Sequence, residues 1–174
     1  MKKVFKQKQL EVVIENELIE NYFSSLTSKK SYISGFDEIE RKITNAVVNS
    51  KNVISLLDKY QKRSNLKSIE IEKMTGIKDF GSFKKSETFN KNNLYLVSIC
   101  LQLNYTEAKD LFNYASVLLN PKTSVPDCVF CFYIKNYRKL SNPELNIEEF
   151  KACLMYGNDY FSKKVKGGIN RWKI

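Results

Sequence analysis

At 174 residues the chain is long enough for one domain, or for a small domain with an appendage. Hydrophobic residues at 43% and charged residues at 28% exclude a disordered tail, and no segment reaches the roughly 18 apolar residues a membrane span needs. A formal net charge of +10 points to a polyanionic partner, and the absence of histidine excludes ordinary triads and His-based metal sites.

The N-terminus begins with lysines as a signal peptide does, but Gln7, Lys8, Gln9, Glu11 and Glu15 break its apolar run. No small-residue cleavage site follows, so a cytoplasmic location is expected. From Gln9 to Leu26, helical spacing puts Leu10, Val13, Ile14, Leu18, Tyr22 and Leu26 on one side. After a loop, Ser34 and Asp37 open a second helix carrying Phe36, Ile39, Ile43 and Val47. Residues 1–50 therefore read as a helical extension whose apolar faces pack on the rest of the chain or pair with a second copy.

Residues 51–120 contain five further segments. "VISLLDKYQKR" repeats the amphipathic pattern through Val53, Ile54, Leu57 and Tyr60. "IEIEKMTG" is one short helix, ending at Gly76 in a position suited to positive φ. "IKDFGSFKKSE" is another, weakened by Gly81, since an interior glycine costs about 1 kcal/mol against alanine. "NNLYLVSICLQLN" reads as the most buried helix, apolar over most of its circumference through Leu94, Val97, Ile99, Cys100 and Leu103. Thr106 is placed to cap "EAKDLFNYASVLL", which stops before Pro121.

Residues 121–174 read as C-terminal helices and a basic tail. Ser124 and Asp127 bracket the start of "VPDCVFCFYIKNY", with Pro126 tolerated in the first turn. "VFCFYI" has strand propensity but no partner strand, so a helix is expected. Asn146 and Glu149 form a capping-box-like pair opening "IEEFKACLMYG". The tail "FSKKVKGGINRWKI" carries Lys163, Lys164, Lys166, Arg171 and Lys173 without one acid, and includes Gly167, Gly168 and Trp172. It suits a segment that orders against phosphates, or a solubilising terminus with Trp172 docked on the core. The fold class is all-α.

Catalytic chemistry finds no foothold. Cys128 and Cys131 form a C-x-x-C pair on a helix, and Cys100 and Cys153 do not make a second close pair, so packed core thiols are expected and no metal. No glycine-rich phosphate loop is present, and the acids of "EIERK" and "IEIEK" alternate as on solvated helix faces. Neither an enzyme nor a cofactor is expected.

The segments Val53–Arg63, Ile69–Thr75, Lys78–Glu87, Leu94–Asn104 and Thr106–Leu118 resemble the five-helix DNA-binding domain of phage repressors and XRE-type regulators. More narrowly, "LYLVSICLQLNYTEAKDLFNYASVLLNPKTSVPDCVFCFYIKNY" is similar to a Firmicutes group of small helix-turn-helix proteins. Leu103-Asn104, Glu107, Ala108, Asp110-Leu111, Leu118 and Asp127 carry that likeness, within a resemblance spanning about Val53 to Leu154. The resemblance implies a lambda-repressor-like core that binds duplex DNA as a transcriptional regulator of phage or mobile-element type, and a dimer on two half-sites.

A helix-turn-helix holds its second helix rigidly against the first. Here Met74, Ile77, Phe80 and Phe83 are placed to fix the pair against Val97 and Leu101. That leaves Lys78, Ser82, Lys84, Lys85 and Ser86 for the outer side, with Lys62, Arg63, Lys67, Lys163, Lys164, Lys166 and Arg171 to neutralise phosphates. The segment from Lys78 to Glu87 holds no Arg, Gln or Asn, the best bidentate base readers. The rival reading is a protein-interaction module, such as a mobile-element inhibitor of a host defence nuclease that sets its basic surface against acidic patches; coating of RNA is a third use of the same charges.

Overall fold

The computed structural model describes residues 7–27, 52–136 and 142–171, and every regular element among them is helical. The expected helix through Phe36, Ile39, Ile43 and Val47 lies outside the described residues, as do Trp172 and Lys173. The chain folds as two compact units. One joins Met1–Ser31, Asn120–Tyr137 and Glu148–Ile174; the other joins Tyr32–Leu119 and Arg138–Ile147. No helix among the described residues is long and apolar enough to cross a membrane.

In the first unit, α1 (Gln7–Ile14) runs through a π-helical turn (Glu15–Ile19) into α2 (Glu20–Thr27). Leu10, Ile14 and Leu18 are all buried at a strict spacing of four, which an α-helix would carry steadily round its axis. The wider π turn takes up that drift and keeps Leu18 facing inward, and a bond from the Glu20 N–H to the Glu15 carbonyl closes it. Of the other expected face residues, Val13 and Tyr22 are half-buried, and Leu26 lies outside the described side chains.

Against this strand of helices packs α8 (Val125–Asn136), in which Cys128 to Tyr133 are all buried. Six consecutive buried residues suit a core helix, apolar on every side. The fully buried Asp127 carboxylate accepts from the Asn120 N–H at 2.7 Å and so ties down the turn before α8. Burial pushes the Cys128 thiol up to about 12, an inert core group.

The last helix, α9, spans Pro143–Arg171 and begins earlier than expected. Asn142, not Asn146, opens it: the Asn142 side-chain oxygen accepts from the Glu144 N–H at 2.9 Å, and Pro143 takes the first helical position. Asn146 is 4% exposed inside the helix. The same helix continues through the basic tail as far as Arg171. In the first unit Phe150 meets Phe130 and Tyr133 edge-on, at ring centroid distances of 6.0 and 5.5 Å.

A polar row joins α1 and the π-helical turn to α9. Tyr156 donates to Glu11, while the Tyr160 hydroxyl and the Lys164 ammonium both reach Glu15 at 2.6 Å. The Lys164 hydrogen bond, then that of Tyr160, holds the Glu15 carboxyl below its ordinary 4.5, and the same bond to Glu15 raises Lys164 above 10.5. A depressed carboxylate contributes stability that is present above its unfolded value and lost as pH falls through the folded one; a raised lysine contributes below its unfolded value and loses it at high pH. We therefore expect Glu15→Gln to flatten the stability profile below about pH 4.5 and on the alkaline side above about pH 10.5, while leaving the plateau between them level; urea midpoints measured across pH test this. An acid limb as steep as that of the unmodified chain would remove Glu15 from the linkage.

The second unit holds α3 (52–64), α4 (Ser68–Thr75), α5 (Phe80–Lys84), α6 (Lys91–Cys100) and α7 (Tyr105–Tyr114). Its core gathers Val53, Leu57, Tyr60, Ile71, Phe80, Leu94, Val97 and Leu111, with Tyr95 and Phe112 tilted together at 5.5 Å. Asn90 caps α6. The start of α7 corrects the expectation: Asn104 rather than Thr106 is the cap, because Asn104 and Glu107 exchange reciprocal bonds of 2.9 Å. That helix also stops at Tyr114, short of Leu118, and Ser116 follows with a φ of 54°.

Candidate nucleic-acid interface

The segment that carries the outward lysines is built from short elements with firm ends. Gly76 terminates α4 at φ 77°, and its N–H bonds the Glu72 carbonyl at 2.8 Å. Asp79 opens α5 by accepting from both the N–H and the hydroxyl of Ser82, at 2.9 and 2.7 Å. Glu72 reaches across the turn and accepts the Phe80 N–H at 2.9 Å, so α4 supplies a second cap to α5. Gly81 does not break the helix: a β-carbon there would come within 3.2 Å of the Asp79 carboxylate, so the missing side chain leaves room for the cap. Helix α5 is nonetheless five residues long, shorter than the stretch from Lys78 to Glu87 read from sequence.

Of the expected contact residues, Lys62, Lys67, Lys78 and Lys85 are exposed in this unit. Lys73 joins them on the outer face of α4; helical spacing from the exposed Ile69 was the signal that could have found it. Among the described residues, the side chains of Lys62, Lys73, Lys78 and Lys85 enter no hydrogen bond or ion pair. A wide-mouthed cleft of about 630 Å³ between the end of α3 and the start of α4 is lined by Lys62 and Lys67 together with Asp58 and Glu70. Both acids are engaged, Asp58 with Lys84 and Glu70 with the Lys67 N–H.

Other expected contact residues are committed elsewhere. The Lys84 ammonium lies 2.6 Å from Asp58 and 3.3 Å from the Gln61 side-chain oxygen, above the Phe80 ring, and its side chain is 17% exposed. Arg63 forks onto Glu107 and stacks on Tyr60 at 5.1 Å; the bond to Glu107 raises its pKa further. The Ser82 hydroxyl serves Asp79, and that of Ser86 donates to the Thr88 carbonyl at 2.5 Å. Asp79 is held below the usual carboxylate range, chiefly by the Ser82 hydroxyl, so it stays anionic beside Lys85.

The tail cations belong to the other unit. Lys163 pairs with Asp159 on its own helix and Lys164 with Glu15, while Lys166 is exposed. Arg171 ends α9, and its side chain lies outside the described ones. Exposed ammonium groups of this kind suit phosphate contacts, and α5 itself carries no Arg, Gln or Asn for bidentate base contacts. No known family matches the chain, and neither a curated protein nor a solved structure matches it.

Proposed function

We propose that this is a DNA-binding protein of helix-turn-helix type, a regulator of phage or mobile-element kind, which grips duplex DNA through its phosphates and reads little sequence. The observation that carries the reading is the set of outward lysines, Lys62, Lys73, Lys78 and Lys85, around two short helices capped at their junction. The sequence resemblance of the segments from Val53 to Leu118 to the five-helix repressor domain supports it. On this reading the protein works in the cytoplasm, and pairing of two copies multiplies the affinity of one weak reader.

Each lysine–phosphate contact releases about 0.9 counterion from B-DNA. Lys78→Gln and Lys85→Gln should each lower the slope of log affinity against log salt by about that amount. Lys78→Glu with Lys85→Glu should abolish duplex binding with the melting temperature unchanged. Fluorescence anisotropy at two salt concentrations, with thermal melts alongside, tests both. A folded double variant that binds as before would remove α4 and α5 from the interface.

One observation favours a second reading. With Ser82 and Lys84 engaged internally, α5 offers no side chain suited to bidentate base recognition. A basic face of this kind also fits the acidic patch of a protein, as an inhibitor of a defence nuclease would use it. Such a protein would bind duplexes only weakly at physiological salt and form a complex with its target that survives there.

A further inference from the structure

We infer that Asp58 and Lys84 are positioning residues for the phosphate-gripping face: their ion pair clamps α5 to α3 and sets where Lys78 and Lys85 stand. The inference rests on the duplex-binding reading above. A five-residue helix is too short to persist on its own, because nucleation consumes most of its hydrogen-bonding gain. Its start is fixed by Asp79 and Glu72. Its last residue, Lys84, reaches back 26 residues to Asp58 and 23 to Gln61. The same Gln61 amide donates to the Leu66 carbonyl at 3.1 Å and to the Ser68 hydroxyl at 3.2 Å, where α4 begins. One cluster thus ties together the end of α3, the start of α4 and the end of α5. Lys84 packs its ammonium 5.4 Å from the centroid of the buried Phe80 ring, so the pair is braced from below.

Positioning and simple electrostatics predict opposite signs. Asp58→Ala removes an acid near a polyanion-binding face and frees Lys84, which by charge alone strengthens duplex binding. The clamp predicts weaker binding instead, by roughly tenfold if two phosphate contacts are misplaced. Lys84→Arg should keep most of the affinity, Lys84→Gln should not, and the charge swap Asp58→Lys with Lys84→Asp should restore it at unchanged net charge.

The measurement is anisotropy with a short duplex on these four variants and the unmodified chain, with hydrogen exchange of residues 80–85 followed in each. Weaker binding by Asp58→Ala, faster exchange there and recovery in the swap establish the clamp. Equal or tighter binding by Asp58→Ala overturns it while the duplex reading stands. If the unmodified chain binds no duplex, that reading fails. Exchange at 80–85 that is unchanged in Asp58→Ala overturns the clamp in either case. Should Asp58→Ala fail to fold, the swap variant decides alone, since without a clamp it would bind no better than Lys84→Gln.

Discussion

Truncating Phe80 to alanine should lower the stability of the α3–α7 unit by about 3–5 kcal/mol, the usual cost of emptying a buried phenylalanine site. Phe80 is fully buried, stacks on Phe83 at 5.9 Å and lies beneath the Lys84 ammonium. Phe83 in turn meets Phe89 edge-on at 5.3 Å, so the ring is the inner member of an aromatic row under α5. With α5 unseated, the lysines before and after it lose their fixed spacing, and on the proposed reading duplex binding should disappear with the stability. Urea unfolding followed by circular dichroism gives the first quantity and anisotropy the second. A loss below about 1 kcal/mol would mean the site collapses around the smaller side chain, and that α5 is held mainly by its caps.

Gly157→Ala should also destabilise, against the trend for helices, where alanine is favoured over glycine by about 1 kcal/mol. At this position in α9 a β-carbon would lie 2.6 Å from a methyl of Val129 on α8 and 3.4 Å from the Ile14 side chain of α1. Val129 is fully buried and β-branched, so it cannot rotate away inside a helix. Overpacking of this kind costs about 1–3 kcal/mol, leaving a net loss of up to about 2 kcal/mol after the gain in helix propensity. Val129→Ala should make room, so the double variant should be more stable than the two single losses added together. Additive losses in that cycle would show that the helices part without resistance and that glycine is there for another reason.

The residues that announced themselves in the sequence are those whose cause is local. Gly76 ends α4 with positive φ because its only requirement, freedom from a β-carbon, is visible in the residue itself. The run from Val129 to Ile134 is helical, as its lack of a partner strand implied. Caps were less legible. Around Asn104 and Asn142, two polar residues within a few positions can each open the helix, and the reciprocal bonds of Asn104 with Glu107 select one.

Helical periodicity, the all-α class and the surplus of positive charge are properties of neighbours in the chain, and the sequence by itself determined them. Which cations remain outward depends on partners far along the chain: 44 residues for Arg63 and Glu107, 26 for Lys84 and Asp58, and 149 for Lys164 and Glu15. Only tertiary structure brings those groups within hydrogen-bonding distance. An ammonium already paired with a carboxylate has little left to offer a phosphate, so the fold, rather than the count of lysines, decides what the basic surface can grip.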